Sequence, residues 1–484
     1  MDSQKFFDLK GENTGVSIGR RFVAVFAISL LLYLLFLLTD PLSAYGPKAS
    51  GALGFFLAVV FFMLFSGVQL SIVAMLVAAL GTMLGFFDWS EVTARLGSSA
   101  FYQAMGMMIV AMGCEFTPFG NRLGYWLLKH FGHDALKLII VVTLASTFLS
   151  TVISNVAIII LMSSITNKLL LAMGEKPGES KIGQVAMLCI VMGAMTGGMG
   201  LFCGSPIGNA SVLSYMNSAL GADYSPTFAE WAAVSMPTML LCIVPMIMVY
   251  VRWFKLDRKA VISSDRSYYD EQLRALGRMS GAEWRWLIIL VCMIVTMFLG
   301  VSTAYAAIFF AALSMFPCIG VSDCREVFKR LPWNSLIAIC MLPLMSTVIV
   351  DNGISDWLGT LLRPLLVDFS PLAFSLVCSV TLAVHINVMV NSMQAAMALV
   401  MSIAAPICVS LGYNPTIVLL PTAFASSYMW CFGANQYVMM NKEYGWWRFK
   451  DPIIPGFIST LIPAVLAPVI ACLVGPIIGL PLYL

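Results

Sequence analysis

Long apolar runs punctuated by short polar clusters set the plan of this chain. Runs of about 17–25 residues cross a hydrocarbon core as helices, and such runs lie near 22–39, 51–68, 70–87, 101–117, 229–251, 286–302, 304–319, 335–350 and 453–474. Four further stretches are apolar but interrupted. In 137–167 and 372–411 the interruption is a cluster of hydroxyls and amides, Ser150-Thr151-Val152-Ile153-Ser154-Asn155 and His385-Ile386-Asn387-Val388-Met389-Val390-Asn391-Ser392. This predicts two helical hairpins that enter the membrane and turn back. In 183–218 and 415–441 the interruption is Gly197-Gly198-Met199-Gly200 with Gly204-Ser205-Pro206, and Cys431-Phe432-Gly433-Ala434-Asn435, which predicts helices unwound midway, as transporters use at binding sites. The pattern as a whole predicts an all-α polytopic membrane protein with about 11 transmembrane helices plus two re-entrant hairpins.

Composition supports the membrane assignment. The chain is 60% hydrophobic and only 11% charged, with a mean hydropathy of +0.91, whereas charged residues make up about a quarter of soluble domains. Residues 1–21 form a polar segment ending in Arg20-Arg21, and no small-residue cleavage pattern follows the first apolar run, which is expected to stay as a helix. The net charge of +3 is dispersed among loops, which argues against a nucleic-acid partner. The twelve Cys, among them Cys189, Cys292, Cys340 and Cys472, sit mostly in apolar segments without CxxC spacing, so they are read as small buried hydrophobes.

With the amino terminus in the cytoplasm, all of the 27 Lys and Arg except Lys48, Arg95 and Arg363 fall on cytoplasmic segments. The positive-inside rule favours that arrangement. It places the carboxyl terminus on the far side, with the chain expected in the cell (inner) membrane. The basic cytoplasmic loop 252–285 then divides a first repeat, 22–251, from a second, 286–484. The first holds hairpin 137–167 and broken helix 183–218, the second hairpin 372–411 and broken helix 415–441. Glu115-Phe116-Thr117-Pro118-Phe119-Gly120 leads into Trp126-Leu127-Leu128 as Val350-Asp351-Asn352-Gly353 leads into Trp357 and Leu361-Leu362. The two hairpins start from opposite sides, so the repeats are expected to have inverted topology, with polar tips meeting near the midplane and alternating access as the consequence.

The residues resemble the divalent anion:sodium symporters, which carry dicarboxylates, citrate or sulfate. That family has Ser-Asn-Thr at each hairpin tip followed by a Gly-Thr/Ser-Pro-type loop in a broken helix. Here Ser154-Asn155-Val156 and Val390-Asn391-Ser392 occupy the tips, Gly197-Gly198-Met199 with Gly204-Ser205-Pro206 resembles the first loop, and Phe432-Gly433-Ala434-Asn435 stands where the second belongs. The resemblance spans about residues 50–480. Each tip has lost a hydroxyl, at Val156 and Val390, and Phe432-Gly433-Ala434 replaces the usual Thr-Pro-Pro. The resemblance implies a secondary active transporter of a small anion, a di- or tricarboxylate, coupled to sodium, working as a homodimer by an elevator-type movement.

The chemistry of the polar clusters agrees. A polar group in hydrocarbon either bonds a neighbouring helix or lines a hydrated cavity. Ser150 is expected one helical turn before Ser154, with Asn155 and carbonyls near Gly204 completing a first cation site; by resemblance the cation is sodium. Asn387 and Asn391 repeat the spacing with amides. The anion is expected between the tips, among Ser154, Asn155, Ser205, Pro206, Asn391, Ser392, Gly433 and Asn435, facing amides and positive helix ends. No Lys or Arg lies at these tips or loops, so bound cations must compensate much of a dianion's charge.

Alternatives stay open. Gly193, Gly197 and Gly198 also suit simple close helix packing. His385 is either a buried structural histidine or a proton-coupling group, which would make the chain a proton-coupled or exchange-type carrier. Glu115 and Asp351, at span ends, suit helix capping or headgroup contact. An anion channel would also explain polar tips. A membrane enzyme is disfavoured, because no Asp or Glu lies near His385 in sequence.

Overall fold

The computed structural model describes residues 20–131, 134–220, 226–257, 266–366, 369–388, 393–428, 438 and 440–484. Among them every regular element is a helix, and an isolated β-bridge joins Tyr413 to Tyr483. Three apolar helices open the fold: α1 (Arg20–Thr39), α2 (Ala49–Phe65) and α3 (Leu70–Met83). A short α4 (Trp89–Leu96) leads into α5 (Ser99–Met112) and the amphipathic α6 (Phe119–Phe131). The first hairpin is α7 (Ala135–Ser150) and α8 (Asn155–Ala172); the first broken helix is α9 (Lys181–Gly200) and α10 (Pro206–Leu220), followed by α11 (Phe228–Trp253).

After a linking helix, α12 (Arg266–Ala275), come α13 (Gly281–Phe298), α14 (Thr303–Met315) and the short α15 (Cys324–Arg330). Then follow α16 (Trp333–Met341), α17 (Leu344–Asp351) and the amphipathic α18 (Ile354–Leu366). The second hairpin is α19 (Pro371–Val388) with α20 (Met393–Ser410), and α21 (Pro415–Val418), α22 (Leu420–Ser426) and α23 (Ile453–Val474) close the chain. The single span expected at 335–350 is therefore two helices, divided at Leu342-Pro343. Proline offers no N–H and crowds the preceding turn, which explains the division.

Burial separates the layers. The apolar window of α9 is 89% buried, that of α1 only 11%, because α9 is enclosed by α7, α8 and α11 while α1 packs chiefly on α2. The helices that carry the polar cluster thus form the centre and α1 faces outward. Cys189 and Cys340 are buried as expected, but Cys292 is exposed on α13 and Cys472 only half-buried, since apolar composition alone does not tell a lipid-facing position from a packed one. Outside the core, Arg122 on α6 donates through Nε to Glu283 Oε1 at 3.0 Å and through a terminal nitrogen to the Gly277 carbonyl at 2.7 Å. Lys129 pairs with Asp270. These contacts anchor the amphipathic α6, which lies beside the first hairpin, to the segment that links the halves of the chain.

Candidate functional site

The turn of the first hairpin decides how its oxygens are aimed. The helix α7 closes at Ser150, and Ser154 takes the N-cap position of α8 with an extended ψ of 134°. Ser150 and Ser154 thus lie on different helices, correcting the one-turn relation expected of them. Ser150 instead meets Asn155: its Oγ lies 2.6 Å from the inward atom of the amide. The helix break between them lets residue i reach residue i+5, which a continuous helix would hold off the same face.

Asn155 is buried, and its inward amide atom lies 2.6 Å from Ser150 Oγ and 3.2 Å from both the Ala194 and Gly204 carbonyl oxygens. Turned with nitrogen inward, the amide donates to all three. That orientation satisfies the amide and its neighbours without any added group; turned with oxygen inward, it would place four oxygens in one buried spot with the Ser150 hydroxyl as a donor. Only in that second orientation would Ser150, Asn155 and Gly204 offer the oxygens that suit a hard cation. Ser154, at the N-cap, borders the same region.

Glycine serves two separate purposes on α9. A β-carbon at Gly193 would lie 2.6 Å from the Thr143 carbonyl oxygen, and one at Gly197 would lie 2.0 Å from that of Thr147. Those positions let α7 and α9 pack backbone to backbone, as small residues do in membranes. At Gly198 the β-carbon would instead meet Asn155 Oδ1 at 2.4 Å. Gly198 leaves the space that the Asn155 amide fills.

A cavity of about 330 Å³ adjoins this cluster, within the size range of small-molecule sites. Its walls include Ser154, Asn155 and Val156 at the start of α8 and Gly204, Ser205, Pro206 and Ile207 at the start of α10. Two long helices thus present their amino ends, with free backbone N–H groups and the positive pole of the dipole, to one space. The mouth is lined by Glu115 and Arg330. Arg330 belongs to neither a hairpin nor a broken helix; it arrives on α15 from the other half of the chain, and the polar clusters carry no sign of it. Glu115, expected to cap a helix or meet headgroups, instead lies 3.6 Å from the Arg330 guanidinium.

In the second half, Asn391 and Ser392 at the tip and Gly433 and Asn435 in the second loop lie outside the described residues. The nearby described residues approach the first site. Met393, opening α20, packs on Gly208 of α10, where a β-carbon would lie 2.8 Å from its methyl and 3.0 Å from Ser205 Oγ. Asn387 is buried and donates its amide nitrogen to the Ala383 and Tyr428 carbonyls at 2.9 Å each, so that nitrogen ties α19 to the chain following α22. The Tyr428 hydroxyl donates to Thr196 Oγ1 of α9 at 2.8 Å, a link between the two halves that apolar periodicity does not reveal. The half-buried His385 has its Nε2 without a hydrogen-bond partner among the described residues.

Asn209 was also missed. Its buried amide nitrogen contacts the carbonyls of Gly198, Leu201 and Phe202 at 3.1–3.2 Å, closing the break between α9 and α10. The signal was present, an Asn within a turn of Gly204-Ser205-Pro206 in an apolar stretch. Replacement by Leu is expected to leave those carbonyls short of a donor, at about 1–3 kcal/mol, and to reduce transport at least tenfold. Uptake assays with purified Asn209→Leu protein check this; full activity would show that the break holds itself.

Comparisons with known proteins follow the same lines. The citrate transporter family model matches residues 59–398. The sodium-dependent dicarboxylate transporter SdcS of Staphylococcus saprophyticus is 24% identical over 452 residues, covering 87% of this chain and 85% of that one. Its namesake in Staphylococcus aureus is 24% identical over 417 residues, covering 80% and 78%. Among solved structures, the YdaH transporter of Alcanivorax borkumensis superposes with a TM-score of 0.52 at 12% identity, covering 94% of this chain and 98% of that one. MtrF of Neisseria gonorrhoeae, from a class of antimetabolite efflux pumps, gives 0.53 at 10% identity, covering 85% and 97%. These two likenesses concern the fold.

Proposed function

The chain belongs to the citrate transporter family and is a secondary transporter of the membrane, and from that premise we propose that it moves a di- or tricarboxylate, coupled to sodium, by elevator-type alternating access. The observation that carries this reading is the meeting of two helix amino ends and the Asn155 amide on one cavity of about 330 Å³. Backbone N–H groups and helix dipoles suit carboxylates. A cation held by Ser150, Asn155 and Gly204 would add positive charge beside them, so anion and sodium favour each other's binding. That the curated relatives are sodium-dependent dicarboxylate transporters supports the same pairing.

Asn155, Ser154, Ser205 and Pro206 are assigned to the anion from the first half, and Asn391, Ser392, Gly433 and Asn435 from the second. Asn387 and Asn391 are the candidates for a second cation site. The matched order of elements, a helix pair in each half followed later by a long helix, supports division into repeats 22–251 and 286–484 with inverted topology. The cavity opens beside Glu115 and Arg330, which border segments rich in Lys and Arg, the cytoplasmic side under an inward amino terminus. This corresponds to an inward-facing state. In the proposed homodimer the hairpins and broken helices move as a unit against a scaffold that makes the dimer contact.

Val156, Val390 and Phe432 offer no side-chain oxygen where the symporters have one, so a sodium Hill slope near one is expected. Ser150→Ala is expected to remove most sodium dependence. Succinate and citrate uptake into proteoliposomes, with and without a sodium gradient, measures both. Steep cooperativity that survives Ser150→Ala would overturn the assignment, and absence of saturable counterflow would overturn the transporter mechanism in favour of a channel.

A further inference from the structure

The two halves share a motif that the transport site does not use. Residues 88–96 read Asp-Trp-Ser-Glu-Val-Thr-Ala-Arg-Leu and residues 323–331 read Asp-Cys-Arg-Glu-Val-Phe-Lys-Arg-Leu, a common pattern D-x-x-E-V-x-x-R-L. Both copies fold as short helices, α4 and α15, begun by the aspartate at the N-cap. In each the valine, Val92 or Val327, is fully buried. Each helix directly precedes a membrane-crossing segment, α5 or α16. The valine and the N-cap account for folding, and Glu91 joins them by accepting from the Asp88 N–H at 3.3 Å in a capping box; Arg95, Glu326 and Arg330 are left unexplained.

Each arginine reaches across to the other half of the chain. Arg330 lies 3.6 Å from Glu115, just past α5, and 3.8 Å from Glu326 on its own helix. Its guanidinium carbon lies 5.0 Å from the centre of the Phe116 ring. Arg95 donates to Thr347 Oγ1 at 3.4 Å, one turn before Asp351 at the end of α17. Burial lowers the pKa of the Arg95 guanidinium, while the charges of Glu91 and Asp351 raise it. Glu115 and Asp351 are counterparts in the two halves by sequence, and each stands near the arginine of the other half's motif: Glu115 in an ion pair with Arg330, Asp351 one turn beyond the Thr347 that Arg95 bonds. The copy at Arg330 sits at the mouth of the site cavity.

We infer that Arg330 alternates between Glu115 and a carboxylate of the cargo at the inner mouth, and that Arg95, with Thr347 and Asp351, does the same at the outer mouth when the site faces outward. The Arg330 contacts are longer than the roughly 2.7–2.9 Å of a tight charge-assisted bond. Arg330 is 48% exposed and Glu115 38%, and exposed pairs of this kind are weak. A guanidinium has five N–H donors, so it can engage an arriving carboxylate before releasing the old one. The carboxylate beside it then competes for the arginine and returns the anion to water. A carrier needs such reversible capture, because a permanent cation in the site would retain the anion.

The inference rests on the anion-transport reading, and the test separates the two. Right-side-out and inside-out membrane vesicles give KM for succinate and citrate at each face. Arg330→Gln is expected to raise the cytoplasmic-face KM about tenfold, with Arg330→Lys intermediate, and Arg95→Gln to raise the outer-face KM. Glu115→Gln, which frees Arg330 for cargo, is expected to lower the cytoplasmic-face KM. A purely structural ion pair predicts the same sign for both partners. Weaker cytoplasmic-face affinity in Glu115→Gln, or equal KM changes at both faces in Arg330→Gln, overturns the inference while transport stands. If Arg330→Gln fails to reach the membrane, the sign for Glu115→Gln decides. Wild-type vesicles that carry neither anion overturn the functional reading and this inference with it.

Discussion

Asn155→Ala should reduce uptake to the level of empty vesicles while the protein still folds. The side chain is buried among Ser150 Oγ and the carbonyls of Ala194 and Gly204, and it borders the cavity. An amide is suited to this place because it offers oxygen to a cation and N–H to an anion. Alanine offers neither. Loss of a buried donor costs about 1–3 kcal/mol, within the roughly 5–15 kcal/mol by which folded proteins are stable. Size-exclusion profiles and thermal melting of the detergent-solubilised variant report the fold, and labelled succinate uptake reports the site. Wild-type uptake by Asn155→Ala would remove the residue from the transport site.

Neighbouring glycines should separate folding from transport. At Gly197 an added β-carbon would stand 2.0 Å from the Thr147 carbonyl oxygen and 2.7 Å from its carbon. Both atoms belong to a helix backbone, which cannot yield alone, so α7 and α9 must part. Gly197→Ala is therefore expected to yield little monodisperse protein. At Gly198 the obstacle is the end of the Asn155 side chain, at 2.4 and 2.6 Å. That amide can swing away, so Gly198→Ala is expected to fold and fail to transport. Expression and size-exclusion behaviour of the pair, followed by uptake for Gly198→Ala, check the contrast. A well-folded Gly197→Ala would show that the two helices tolerate separation, and an active Gly198→Ala would show that the amide need not sit where it does.

The sequence expectation for these glycines was a choice between close packing and a binding loop. Gly197 meets the backbone of α7 and Gly198, one residue on, meets the Asn155 side chain; only the structure tells the two apart, because the answer depends on which face of α9 meets backbone and which meets a side chain. Similarly, Ser150, Asn155 and Gly204 were legible as a group from their polarity in an apolar stretch. Their partnership was not. A helical spacing paired Ser150 with Ser154, whereas the turn after Ser150 hands it to Asn155.

Sequence alone was enough for the membrane character, the all-helical class and the breaks at 151–154 and 201–205 in the first half; the second hairpin's tip lies outside the described residues. A bilayer accepts few ways of crossing it, so apolar run length and the polar breaks within it are nearly a drawing of the chain's path. The tertiary structure alone decided which distant segments meet. Arg330 at the cavity mouth, Tyr428 on Thr196, and Met393 against Gly208 each join residues from opposite halves. Such contacts leave no period along the chain, because they arise from how whole helices pack once both halves are folded together.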